Sequence, residues 1–401
     1  MAIDWLNSQE AARRLGVSPA TLYAYVSRGL LRSEATDGQR ERRYRSDDIA
    51  RLKARRAVGR KAASLASNAL DFGTPVLESA LTLIEDSRLY YRGADATVLA
   101  RTASLEDTAH LLWGCDESPF AEANVPPLTT SLRRAWLAAA TLSPVDRCLI
   151  LLPAAAAHDH LGWVEDRAAM LETAVRVLRL LTAAVTARPP SALPIHEQLA
   201  AAWRVPPEHA HIIRAALVLS ADHEFNASAF AARVVASTGA NLYGATLAGL
   251  AALNGPRHGG LTRRVAVLFN DLKRAPDLDA ELVRMLRARV YIPGFGHQLY
   301  PDGDIRAATL FALLRETVPN SPELAFAERV AAAVEGLIDR KANVDFSTVT
   351  VERVLGLPRE SALALFLLGR AVGWMAHALE QVAHGVLIRP RARYTGPRPA
   401  V

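Results

Sequence analysis

Three short stretches of this 401-residue chain set a histidine or a carboxylate among glycines and turn residues: Gly255-Pro256-Arg257-His258-Gly259-Gly260, Gly294-Phe295-Gly296-His297 with Arg306 nine residues on, and Asn343-Val344-Asp345-Phe346. An imidazole and a carboxylate brought together move protons. The glycines beside His258 predict a backbone that a ligand approaches closely. Arg370 sits inside an apolar run with Leu363, Leu365, Phe366, Leu367 and Leu368. A charge there is costly unless paired, and either ligand carboxylates or a buried Asp or Glu would offset the cost. Arginine suits carboxylates because its planar fork binds them at two points and stays charged. Asp222 and Glu224 read as braces for a loop carrying His223, and His377 reads as a packed histidine on the Arg370 face. The other histidines receive no role, and each loop taken singly is weak.

The elements that must position these groups read as helices. Half of the residues are apolar, alanine and leucine dominate, and alternating β-branched runs are scarce. The breaks fall at 188–194, 254–260, 292–303 and 319–322, where Pro and Gly cluster. The length suggests about two to three domains. No apolar run reaches the roughly 20 residues of a membrane span. The best candidate, Cys148 to Ala157, is short and interrupted by Pro153. The start, Met1-Ala2-Ile3-Asp4, has no basic or apolar leader, so a cytoplasmic protein is expected. Cys115 and Cys148 are the only cysteines and are not spaced as metal ligands, so neither a metal nor a disulfide framework is expected.

Charge is unevenly placed. Residues 1–61 hold 14 Lys/Arg against 7 Asp/Glu, a net of +7, and the remainder is close to neutral. Such asymmetry points to an anionic partner, most simply nucleic acid, or to a solvated surface. A short helix is read over 5–16, capped by Asn7 or Ser8 and ended by Gly16. A second follows from Ser18-Pro19 to Ser27. A polar turn-prone stretch spans 33–39, and a third helix runs from Ser46 to about Arg56. Two helices joined by a Gly-containing turn form the helix-turn-helix pattern. Ser8-Gln9-Glu10-Ala11-Ala12-Arg13-Arg14-Leu15-Gly16-Val17-Ser18, Thr21-Leu22-Tyr23, Gly29-Leu30-Leu31 and Arg43-Tyr44-Arg45 resemble the DNA-binding domain of MerR-type regulators and excisionases. That resemblance implies a helix in the major groove and a basic wing on phosphates, with Thr21, Tyr25, Arg28, Arg43 and Arg45 as contacts.

The remainder resembles the citrate synthases. The three loops match the family's two catalytic-histidine loops and its aspartate segment in order and content. Ala221-Asp222-His223-Glu224-Phe225-Asn226-Ala227-Ser228, Gly369-Arg370-Ala371-Val372-Gly373-Trp374, Arg389-Pro390-Arg391 with Tyr394-Thr395-Gly396, and more loosely Leu89-Tyr90-Tyr91-Arg92-Gly93 match further segments, over roughly 73–396. The resemblance implies an all-α fold: a large domain at 73–260 and 363–401, a small one at 261–362, and a cleft between them. The helix-turn-helix domain at 1–56 and a linker helix at 57–72 precede it. It also implies Asp345 as base, His258 as donor to the acetyl-CoA thioester oxygen, and His297 as the group polarising the oxaloacetate ketone. His223, Arg306, Arg370 and Arg389 would hold oxaloacetate. Arg389 would reach into the neighbouring site of a homodimer, and no cofactor is implied. Gln298 and Pro301 stand where most bacterial relatives carry Arg and Lys, and Leu261-Thr262 replaces Ala-Asn. Arg340 and Lys341 would then be replacement contacts for CoA phosphate. Propionyl-CoA as the acyl donor, giving 2-methylcitrate, and a metabolite-sensing DNA-binding regulator remain open beside the acetyl-CoA reading.

Overall fold

The computed structural model describes residues 5–18, 21–22, 25–26, 31–35, 42–50, 52 and 77–397. Arg28 and the linker helix expected at 57–72 lie outside the described residues. The chain divides into two compact units, Met1–Glu78 and Ser79–Val401.

In the first unit, strand β1 (Trp5–Asn7) precedes helix α1 (Ser8–Leu15), so the expected helix begins three residues late. Asn7 caps it, accepting the Glu10 N–H at 2.8 Å, and Gly16 ends it in the left-handed conformation at φ 63°. Ser18 then caps the second helix through the Thr21 and Leu22 N–H groups. The stretch read as turn-prone instead supplies strand β2 (Ser33–Ala35), which pairs antiparallel with β3 (Arg42–Arg45); β3 also pairs with β1. Tyr44 is the inward residue of β3 and joins Leu6, Ala11, Ala12, Leu15, Leu22, Leu31 and Ile49 in a small core. Arg43 is exposed. Arg45 is bound by Asp47 through both Nε (3.0 Å) and its terminal nitrogen (2.7 Å). The Thr21 hydroxyl lies 2.9 Å from that of Ser18, and Tyr25 packs half-buried against the core.

The second unit opens with an antiparallel meander that sequence reading missed: β4 (Thr82–Glu85), β5 (Arg88–Tyr91) and β6 (Ala94–Asp95). Asp86 and Ser87 turn the first hairpin with φ of 50° and 59°, the two-positive-φ turn that matches strand twist. The helices follow in order: α2 (Ala96–Thr102), α3 (Leu105–Trp113), α4 (Thr130–Ala139), α5 (Pro144–Ala156), α6 (Arg167–Thr186), α7 (Ile195–Trp203), α8 (Ala210–Leu219), α9 (Ala227–Ala236), α10 (Leu242–Leu253), α11 (Leu261–Arg274), α12 (Leu278–Arg287), α13 (Ile305–Thr317), α14 (Pro322–Ile338), α15 (Val344–Val354) and α16 (Ser361–His384). Helix α5 runs through Pro153 instead of breaking there.

Helix α16 is the axis of the unit, packed on by α3, α5, α6, α8, α9, α10, α11 and α15. It is long and apolar enough to cross a membrane, contrary to the expectation that no such run exists, yet its apolar stretch is wholly buried in protein. Its approach to the end of α8 depends on two glycines. A Cβ at Gly369 would lie 2.4 Å from the Leu217 carbonyl oxygen, and one at Gly373 would lie 2.4 Å from both the Ala221 carbonyl oxygen and Asp222 Oδ1. The Gly373 N–H donates to that same Ala221 oxygen at 3.0 Å. Gly373→Ala is therefore expected to cost about 3 kcal/mol or more, read as a lower midpoint in thermal unfolding; an unchanged midpoint would contradict this packing.

Candidate functional site

Helix α16 carries Arg370 beside the α8–α9 connection. The side chain is buried; its Nε donates to the Ser220 carbonyl at 2.9 Å, and its guanidinium carbon lies 4.9 Å from the Phe366 ring centre. One terminal nitrogen is buried with no hydrogen-bond partner. Burial pulls Arg370 down to about 10. Asp222, a buried carboxylate whose charge acts on Arg370, is already engaged: Thr82 donates to it at 2.6 Å and His377 Nε2 lies 3.3 Å away. The expectation that Asp222 braces the His223 loop and that His377 is a packed side chain fits these partners.

His223 follows in the same connection, buried, with Nε2 3.0 Å from the Tyr300 hydroxyl. Its ring centre lies 5.0 Å from that of His297, and the His297 ring lies 5.1 Å from Tyr300. Leu299 donates its N–H to His297 Nδ1 at 3.2 Å, which leaves the imidazole proton on Nε2. Burial, then the Arg306 charge, pushes His297 down to about 4. Burial pushes His223 well below the usual histidine range, with Arg306 and His297 adding to it. Both rings are neutral at physiological pH.

His258 lies in the turn between α10 and α11. Its Nε2 is 2.7 Å from the hydroxyl of Ser228, in the first turn of α9. The cap of that helix, Asn226 Oδ1, already accepts the Ser228 and Ala229 N–H groups, both at 3.1 Å. The Ser228 hydroxyl also donates to it at 2.6 Å. Turning that hydroxyl proton from Asn226 to Nε2 puts the His258 proton on Nδ1, as a hydrogen-bond donor on the other side of the ring. Burial and Arg370 push His258 down to about 3. Gly259 and Gly260 serve the turn itself: a Cβ at Gly260 would fall 2.6 Å from the Asn254 carbonyl oxygen, and one at Gly259 would meet Leu253. The close approach expected of a ligand is made by the loop's own backbone.

The third loop is stitched to the second. The Gly296 N–H donates to the Lys341 carbonyl (2.8 Å), the Asn343 N–H to the Gly294 carbonyl (2.9 Å), and the Asn343 side-chain amide to the Gly296 carbonyl (3.2 Å). Asn343 also caps α15 by accepting the Asp345 and Phe346 N–H groups. Asp345 is thereby fixed in the first turn of α15. Desolvation pushes its carboxyl up to about 7 against the opposing pull of Arg306 and Arg370. Arg306 is buried, forked onto Asp304 at 2.9 and 2.8 Å, and sits over the Tyr300 ring at 5.2 Å.

Sequence-chosen His223, His258, His297, Arg306, Asp345 and Arg370 thus converge: the Arg370 charge acts on His223, His258, His297 and Asp345 alike. Arg389 does not join them; it lies exposed in the C-terminal segment beyond Gly385. Arg340 and Lys341 are exposed, with their stems lying against Gly296 and Gly303 of the His297 loop, and Lys341 Nζ donates to the Asp302 carbonyl at 3.1 Å. Sequence reasoning assigned no role to Tyr300, Asp304 or Ser228. An Asx or Ser side chain at a helix start was the available signal for the last two. Among the described residues no group of three or more His, Cys, Asp or Glu is placed to hold a metal. Two buried guanidiniums, neutral imidazole donors and a carboxylate titrating near neutrality suit removal of a proton next to a carbonyl, alongside binding of a carboxylate-bearing partner.

A family model for the C-terminal domain of citrate synthase matches residues 70–391, and one for a helix-turn-helix domain matches residues 5–57. Citrate synthase 2 of Bacillus subtilis is 36% identical over 186 residues, 45% of this chain and 50% of that protein. A 2-methylcitrate synthase of Shewanella oneidensis is 33% identical over 195 residues, 48% of this chain and 52% of that protein. The chain thus spans about half the length of these relatives. It spans 95% of the citrate synthase of Haloferax volcanii, at 31% identity over 81% of this chain. Among solved structures, the citrate synthase of Thermoplasma acidophilum in ternary complex with carboxymethyl coenzyme A and oxaloacetate superposes with a TM-score of 0.70 at 25% identity, covering 82% of this chain and 95% of that one.

Proposed function

The chain belongs to the citrate synthase family, and from that premise we propose that it condenses acetyl-CoA with oxaloacetate and water to citrate and CoA. Asp345 takes a methyl proton from the thioester while His258 donates a hydrogen bond to the thioester oxygen, where negative charge develops. The enol carbon attacks the oxaloacetate ketone. His297 polarises that ketone from Nε2–H and supplies the alkoxide proton. Water then cleaves citryl-CoA. Arg306, Arg370 and His223 hold the oxaloacetate carboxylates, and no cofactor takes part. The observation that carries this reading is the buried Arg370 terminal nitrogen, without a hydrogen-bond partner and electrostatically coupled to Asp345 and three neutral histidines.

The cleft lies between a large domain (73–260 and 363–401) and a small one (261–362). Exposure of Arg389 supports its service to the other site of a homodimer. Relatives named for citrate and for 2-methylcitrate match at comparable identity, so propionyl-CoA is the second reading; one methylene separates the two by only about 1–3 kcal/mol. The test is release of CoA thiol from the purified protein with oxaloacetate and either acyl-CoA. Turnover supports a condensing enzyme, and the ratio of kcat/KM values chooses the acyl group. No turnover from a folded protein that binds oxaloacetate favours a metabolite-sensing regulator, in which the basic helix-turn-helix unit binds DNA through Thr21, Tyr25, Arg28, Arg43 and Arg45. Arg45, held by Asp47, would have to exchange that partner for phosphate.

Arg340 and Lys341 are the proposed CoA phosphate contacts, in place of the basic residues that Gln298 and Pro301 replace. Two exposed charge contacts of up to about 1 kcal/mol each predict that the double change to Gln raises the KM for acetyl-CoA about tenfold and leaves kcat nearly unchanged. An unchanged KM would remove both residues from the site.

A further inference from the structure

We infer that Asp304 is a positioning residue that locks the substrate-binding arginine Arg306 to the helix bearing the base Asp345. This deepens the proposed function and rests on its assignment of those two residues. Asp304 is buried at the start of α13, and both of its oxygens are fully used. Oδ1 accepts the Arg306 N–H at 3.1 Å and Arg306 Nε at 2.9 Å. Oδ2 accepts the Arg306 terminal nitrogen at 2.8 Å and the backbone N–H of Val344 at 2.9 Å. A helix cap accounts for the first bond alone. The fourth reaches 40 residues along the chain to the opening residue of α15, one position before Asp345. A single carboxylate therefore fixes the arginine that holds one reactant and the helix end that carries the base for the other. Tyr300 completes the bracket, with its hydroxyl on His223 and its ring under Arg306.

The bridge needs two acceptor oxygens. In Asp304→Asn, of nearly equal volume, one oxygen becomes an NH2 group. In either amide orientation that NH2 faces two donors, so two of the four bonds are lost. The charged groups acting on Asp345 are Arg306 and Asp304 on α13 and Arg370 on α16. Loss of the Asp304 charge removes a repulsion, and the released Arg306 charge adds attraction. Both changes move the Asp345 titration downward.

The experiment compares parent, D304N and D304E. D304N is expected to lower kcat roughly a hundredfold, as misplacement on an ångström scale does, and to shift the acid limb of the pH–rate profile to lower pH. D304E keeps the charge but not the geometry. It is expected to lower kcat with the acid limb in place, and it carries the kinetic test if D304N fails to fold. The limb shift in D304N reports the lost charge, and the fall in kcat in D304E, where the charge is kept and the limb stays in place, reports the lost positioning. A carboxyl-carbon NMR titration of Asp345 reads the same displacement without turnover, so it tests the coupling of Asp304 to Asp345 even if the parent proves inactive and the proposed function fails. Parent-like kcat in D304E, or an unmoved Asp345 titration in D304N, would overturn the assignment.

Discussion

Asp345→Asn is expected to abolish most turnover and, above neutral pH, to make the protein more stable. The carboxyl is pushed up to about 7 because the site desolvates it, with Arg306 and Arg370 pulling the other way and Asp304 adding to the rise. A base held near 7 is half ionised at physiological pH and strong enough to matter, whereas an ordinary carboxylate near 3.8 is a weaker base. The parent kcat/KM is therefore expected to rise about tenfold per pH unit below 7 and to level above it. His258 and His297, held down to about 3 and about 4, add no limb between pH 5 and 9. The same shift sets the stability effect. The folded pKa lies above the unfolded one, so the folded state prefers the protonated acid. Nothing is lost below the unfolded pKa; the cost grows as pH rises from about 4 to 7 and is complete above 7. Asn matches the protonated acid in shape and carries no such cost. D345N and parent should unfold at nearly the same temperature at pH 4. At pH 8 the variant should be ahead by about 1–3 kcal/mol. Turnover should fall about a thousandfold or more, the general-base contribution. Parent-like turnover would remove Asp345 as the base. Loss of turnover with equal stability at pH 8 would keep Asp345 in the reaction but show that its carboxyl is not held above the ordinary range.

The residues of the site were more legible than the geometry that gives them their properties. His258 and His297 stand beside glycines, Asp345 follows the turn residue Asn343 and Arg370 is alone in an apolar run, whereas His223 and Arg306 were picked out by the family resemblance; the structure gathers all six. Asp304 shows only the signal of a helix cap, since its importance lies in a bond to Val344, and no local pattern announces a partner 40 residues away. Tyr300 likewise acquires meaning only when α13 brings Arg306 over its ring. The small strands escaped because three- and four-residue segments such as Ser33–Ala35 are too short to alternate. Only Tyr44 among the arginines of β3 marks an inward face. Helix α5 continued through Pro153 because a proline interrupts only the bonding of its own turn, and tertiary packing outweighs that local loss. Helix α16 passed unnoticed as membrane-like because Arg370 divides its apolar run, and that arginine is the reason the helix matters.

Arg370→Met is expected to act in the opposite sense to the Asp304 change on the same titration. In the ligand-free protein Arg370 is a liability: a buried cation with one bond to the Ser220 carbonyl, a face on Phe366, and a terminal nitrogen with no hydrogen-bond partner. Burial is the largest influence on it and draws it down to about 10 despite the charge of Asp222. Replacing a poorly paired buried ion by an apolar chain of similar length commonly stabilises, and after the lost bond to Ser220 a gain of about 1 kcal/mol is expected. Substrate reverses that balance. A carboxylate arriving at the guanidinium supplies the missing partner, and removing one side of such a buried pair costs about 2–5 kcal/mol, so the KM for oxaloacetate should rise at least thirtyfold. The acid limb should move as well. Arg370 stabilises ionised Asp345, so without it the carboxyl climbs above 7 and the limb shifts to higher pH, where D304N shifts it lower. Thermal unfolding of the ligand-free variant, the oxaloacetate KM and the pH profile together separate the outcomes. Destabilisation with an unchanged KM would make Arg370 a structural cation paired within the fold. A raised KM with a gain in stability and an upward limb is the behaviour of a group kept at the expense of the fold for a dicarboxylate ligand.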